Sequence, residues 1–122
     1  MSDEQHHHQV LEGLIPQHRA LRKQIPDVYK GFAELSTAAL TDGALSRGVK
    51  ELIALAIGVV EGCDGCIASH AKAAARAGAT PEEAAEAIGV TFLMHGGPAT
   101  IYGARAYTAF CEFADATAPQ PS

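Results

Sequence analysis

The chain contains no tryptophan and only four phenylalanines and three tyrosines among 122 residues. With so little aromatic volume, the core has to be built mostly from Ala, Val, Leu and Ile. Positive charge is also short. Nine Lys and Arg face fourteen Asp and Glu, for a net charge of -5, which excludes a nucleic-acid partner, since such a partner calls for a basic face. Long apolar runs are missing too. The longest, Leu52 to Val60, is far below the roughly 20 residues that span a bilayer. The opening Met1-Ser2-Asp3-Glu4-Gln5 has neither a basic stretch nor an apolar one, so no secretory leader is expected. These absences point to a cytoplasmic protein with no membrane partner, where free thiols are the default state.

Sustained strand alternation is likewise absent, and no internal repeat is visible. The length is that of one domain, and the pattern is all-α. Residues 1–9, with His6-His7-His8, read as a disordered end or the remnant of an expression tag. Val10 to Ile15 reads as a short helical turn stopped near Pro16. Ile25-Pro26-Asp27 looks like a helix start, followed by Val28, Phe32, Leu35, Ala39 and Leu40 at helical spacing. Thr41 to Ala44 is a break, after which Ser46 can cap a helix running to about Val60. That helix is apolar on every side, so it should be buried all round. A chain this short can hardly surround it, which implies a subunit interface.

Gly62 should end that helix, and the next should open at the cysteines and run through Arg76 to Gly78. Thr80-Pro81-Glu82-Glu83 carries a capping-box signature for a helix reaching Met94 or His95. After Gly96-Gly97, a last helix is expected over about Pro98–Ala114. The expected organisation is an N-terminal segment over 1–24, partly disordered, a domain over 25–115 and a disordered tail over 116–122.

What the chain does have is Cys63-Asp64-Gly65-Cys66-Ile67-Ala68-Ser69-His70. On a helix, Cys63 and Cys66 are neighbours at i,i+3, and Cys66 and His70 are neighbours at i,i+4. If the helices on either side of Gly62 pack antiparallel, Glu51 lies roughly 15 Å from the turn and His70 roughly 10 Å back along the return. Glu51 is then level with His70 but not with Cys63. The spacing proposes a series from Glu51 to His70 to Cys66, in which a carboxylate orients an imidazole and the imidazole takes a proton from a thiol. A helix N-terminus favours the thiolate. A second cysteine one turn away can trap a sulfenic acid as a disulfide. Because Cys66 shares a face with His70, Cys66 is expected to attack and Cys63 to resolve.

Other readings remain open at this point. Cys63, Cys66 and His70 could hold zinc, with His95 or Cys111 as a fourth ligand, although no second close ligand pair exists. Alternatively they could belong to a structural helical module. Glu51 could be a solvated first-turn carboxylate. His95 reads as a helix C-terminal residue facing the dipole, and Cys111 as a core cysteine.

The combination of Glu51, eleven residues, Cys63-x-x-Cys66, three residues and His70 resembles the AhpD-like alkylhydroperoxidases of the carboxymuconolactone decarboxylase superfamily. The resemblance covers roughly residues 25–115. It implies an all-helical bundle that forms trimers or hexamers and needs no metal or other cofactor; for this short chain the hexamer is favoured. It implies a thiol-dependent peroxidase reducing hydroperoxides, with Cys66 as the peroxidatic cysteine, Cys63 as its disulfide partner and Glu51 and His70 as the proton relay. The electron donor implied is a dithiol or a lipoylated protein. One position departs from the pattern: Gly65 stands where well-studied peroxidase members carry a histidine. The superfamily also holds decarboxylases that act on a lactone, generally without the thiol pair; an enzyme of that kind would use Glu51 and His70 alone.

Overall fold

Caps and breakers divide the chain into helices at nearly every expected point. A computed structural model describes residues 6–117 as six helices: α1 (His6–Gln24), α2 (Pro26–Leu40), α3 (Arg47–Glu61), α4 (Asp64–Arg76), α5 (Pro81–His95) and α6 (Gly97–Thr117). No strand occurs among the described residues. Ser46 Oγ accepts from the Val49 amide at 3.2 Å and opens α3. Gly62 closes α3 at φ 65°, a left-handed conformation that costs glycine little. The Thr80/Glu83 capping box is complete, with the Glu83 amide donating to Thr80 Oγ1 at 3.1 Å and the Thr80 amide to Glu83 Oε1 at 2.8 Å.

α3 to α6 enclose the core, and α1 lies against α4. Seven of the fourteen buried hydrophobic residues are alanines, with Phe110 and Phe113 of α6 as the bulky exceptions. Small side chains let helices approach closely. At Gly58 of α3 an added Cβ would lie 3.4 Å from Cys66 Cβ, so the absence of a side chain there seats the cysteine turn directly on α3.

Several local expectations change. Residues 6–9 are not a disordered end but the first turn of α1; residues 1–5 lie outside the described residues. α1 does not stop near Pro16 but runs through it. Proline removes one N–H from a helix, and here Pro16 and Glu12, four residues earlier, are both exposed, so the freed carbonyl can turn to water. α1 is fastened at its start by a carboxylate from the far end of the chain. Glu112 of α6 accepts from the backbone amides of His7 at 3.3 Å and His8 at 2.8 Å. The ring Nδ1 atoms of both histidines face the same carboxylate. Helix-opening amides have no partner inside their own helix, so Glu112 acts as a long-range cap.

α3 is not buried all round within one chain. Glu51, Leu52, Leu55, Gly58 and Val59 face inward, while Ile53, Ile57 and Val60 remain exposed. α6 begins at Gly97 and runs to Thr117, so Ala116 and Thr117 end a helix rather than begin a tail. Residues 118–122 lie outside the described residues.

Candidate functional site

Two glycines and one cap set the site. Gly62 reverses the chain, Gly58 admits Cys66, and Cys63 occupies the N-cap of α4, where its Sγ accepts from the Cys66 amide at 3.1 Å. The two cysteines have their Cα atoms 5.2 Å apart and their sulfurs paired, a backbone spacing suited to a disulfide. Cys66 therefore stands in the first turn of α4, where unpaired amides and the positive end of the helix favour a thiolate.

Glu51 and His70 face each other across the α3–α4 pair, as the rise per residue predicts. His70 Nδ1 lies 2.8 Å from Glu51 Oε1, and the Glu51 side chain is only 1% exposed. Its other oxygen lies 3.6 Å from Arg47 Nε, one turn earlier on α3. Glu51 is thus a buried, doubly engaged carboxylate and not a solvated one. With Nδ1 held by the carboxylate, His70 is left with Nε2 to exchange protons.

Cys63, Cys66 and His70 line one cleft of about 850 Å³, whose opposite wall is α1, with Val10, Leu14 and His18, and Phe32 of α2. Gly65 faces this wall closely: an added Cβ would lie 3.3 Å from Leu14 Cδ1. A side chain before Cys66 would therefore press on the end of Leu14, which would have to give by a few tenths of an ångström. His18 Nδ1 lies 2.8 Å from the Tyr29 hydroxyl, tying this wall to α2.

The remaining candidates lie elsewhere. His95 is exposed at the C-terminal end of α5. Cys111 is half-buried, not a core residue, beside His8, Tyr107 and Glu112 in a separate cleft. Among the described residues no three or more His, Cys, Asp or Glu side chains converge as metal ligands, so Cys63, Cys66 and His70 with His95 or Cys111 do not assemble the zinc site the spacing allowed. Arg47, which the sequence reading passed over, was legible as an i,i+4 partner of Glu51. The α1 wall and Phe32 carried no local signal, because only tertiary packing brings them to the cysteines.

The fold is an all-helical bundle that sets a carboxylate–imidazole pair beside a paired Cys63 and Cys66 at a helix start. The profile of the carboxymuconolactone decarboxylase family matches residues 26–109, and the chain belongs to that family. It is 40% identical over 91 residues to an uncharacterized protein of Cupriavidus necator, covering 75% of this chain and 80% of that one. It is 43% identical over 75 residues to an uncharacterized protein of the cox locus of Paracoccus denitrificans, covering 62% of this chain and 68% of the other. A solved carboxymuconolactone decarboxylase family protein from Legionella pneumophila, in its apo form, superimposes with a TM-score of 0.86 at 38% identity, covering 90% of this chain and 98% of that one.

Proposed function

We propose that the protein is a thiol-dependent peroxidase of AhpD-like type that cycles Cys63 and Cys66 between dithiol and disulfide. The observation that carries this reading is the Glu51–His70 hydrogen bond of 2.8 Å, which orients an imidazole in the same cleft as both thiols. The Cys66 thiolate attacks the terminal oxygen of a hydroperoxide. An S–O bond forms, the O–O bond breaks, and the leaving alkoxide takes up a proton to give the alcohol. His70, held by Glu51, accepts the proton from Cys66 and returns it to the leaving group. Cys63 then attacks the Cys66 sulfenic acid, the S–S bond forms and water leaves. A dithiol, free or on a lipoylated protein, exchanges with the disulfide and is itself oxidised, which restores both thiols.

The setting is a cytoplasmic homo-oligomer, a hexamer in preference to a trimer. No helix among the described residues is long and apolar enough to cross a membrane.

The test is the intact mass of the reduced protein before and after one equivalent of hydroperoxide. Loss of two hydrogens, with the peroxide consumed, is expected. An unchanged mass in the presence of unconsumed peroxide would sink the reading. Acid–base chemistry on a lactone by Glu51 and His70 alone is the other reading open to this family. It would survive alkylation of both thiols, whereas the proposed peroxidase would not.

A further inference from the structure

A second cleft, of about 560 Å³, adjoins the dithiol cleft and shares Leu11 and Ser69 with it as common walls. Three cations line it: Arg47 from α3, and Lys72 and Arg76 from α4. The chain holds only nine Lys and Arg and carries a net charge of -5, so a third of its cations stand around one groove of an acidic molecule. Arg47 is drawn toward Glu51 at 3.6 Å. Lys72 and Arg76 have no anionic partner among the described residues. Lys72 and Arg76 are also i,i+4 neighbours, so their like charges repel one another, and an anion placed between them relieves that repulsion.

The placement along α4 sets the size of the ligand. Ser69 and Arg76 follow Cys66 by three and ten residues and lie on its side of the helix. Lys72 and Arg76 stand roughly 9 Å and 15 Å along the axis from Cys66. The intervening wall is apolar, with Leu11 and Ala73, and it continues into the cleft walled by Val10, Leu14 and Phe32.

We propose that this groove binds a carboxylate, and that the hydroperoxide reduced at Cys66 is that of a fatty acid or a similar acyl-chain acid. Its carboxylate rests between Lys72 and Arg76, within reach of Arg47. Its chain lies along Leu11 and Ala73, and its peroxide group reaches Cys66. This inference names the substrate class of the peroxidase proposed above and rests on that reading for the chemistry, though not for the binding.

The test therefore begins with binding. Calorimetry with octanoate and octan-1-ol on the wild-type protein should show the acid bound at least about tenfold more tightly, the scale of one or two charge-assisted contacts. The preference should fall as salt is raised. The Lys72→Gln/Arg76→Gln protein should lose the preference, and Lys72→Arg should keep it. Equal binding of acid and alcohol by the wild type, or an unaltered preference in the double variant, overturns the proposal. That result would leave the peroxidase reading intact if a small neutral hydroperoxide still oxidised Cys63 and Cys66. Charge-dependent octanoate binding by a protein whose thiols ignore every hydroperoxide, including that of a fatty acid, would keep the carboxylate groove. It would overturn both the substrate assignment and the peroxidase.

Discussion

Glu51 is almost wholly removed from water, and its two oxygens are divided between His70 and Arg47. A buried carboxylate is costly unless it is paired and hydrogen-bonded, so the pairing and the burial belong to one arrangement. Glu51→Gln keeps the shape and an oxygen that can accept from His70, but it removes the charge that stabilises the imidazolium. The fold should persist while Cys66 alkylation at neutral pH slows by about a hundredfold or more, the usual scale for losing a positioned acid–base group. Superimposable alkylation profiles against pH in the two proteins would reduce Glu51 to a structural carboxylate. The cysteines separate by position. Cys63 caps α4 with its sulfur, and Cys66 lies one turn in, beneath His70. Cys63→Ser should accumulate a sulfenic acid at Cys66 that dimedone traps, whereas Cys66→Ser should no longer react with peroxide. Dimedone labelling of Cys63 in the Cys66→Ser protein would reverse the assignment.

At the scale of elements, α1 decides how closed the dithiol cleft is, and its anchor is titratable. Burial lowers the His7 pKa from its ordinary 6.5, and the hydrogen bond and charge of Glu112 only partly oppose this. For Glu112, burial pushes the carboxyl up, but hydrogen bonds from His8 and His7 outweigh it and hold the group below 4.5. Both folded values are depressed. In each case the unfolded chain binds a proton that the folded one resists, so stability is present above the unfolded value and is lost on acidification. For His7 that loss begins as pH drops below 6.5, and for Glu112 below 4.5. Amide exchange over residues 7–12 should therefore lose protection between pH 7 and 4 before α4 does. Glu112→Gln should produce the same loss at pH 7, weakening the anchor by about 1.5–3 kcal/mol for each hydrogen bond to the lost charge. Protection of α1 that ignores both pH and the variant would show that packing alone holds it. This anchor was not legible in the sequence. The Thr80/Glu83 box and the Gly62 stop are local, and the Glu51–His70 register follows from helical rise across a short turn. The cap of α1 comes from a residue 105 positions away from His7, and Pro16 reads as a stop unless its solvent exposure is known. The polar histidine run thus looked like an unstructured end, and the wall it supports, with Leu14 against Gly65, went unseen.

At the scale of the whole molecule, α2 is a helix without a fully buried residue. No residue of Pro26–Leu40 is buried in the single chain, and Val28, Phe32 and Leu35 are each more than 60% exposed. Ordering a helix costs backbone entropy that apolar burial must offset, and within one chain α2 has little to offset it with. α3 presents Ile53, Ile57 and Val60 to solvent, and α5 presents Val90, Leu93 and Met94, with Leu93 83% exposed. Monomers rarely leave contiguous apolar patches beyond a few hundred Å², and closed symmetry is the usual way for identical chains to cover such faces. We expect the outer stripe of α3, an apolar run with no polar side, to be the seam between subunits. We expect a homo-oligomer, and a hexamer in preference to a trimer, so light scattering at low micromolar concentration should give six times the 12.7 kDa of one chain. Ile57→Lys places a charge in that stripe without touching the buried face, and it should shift the mass toward smaller species. Because α2 contributes Phe32 to the dithiol cleft, loss of the oligomer should also loosen that wall and lower peroxide reactivity. A stable monomer with full activity would show that α2 and the outer stripe of α3 hold without any partner.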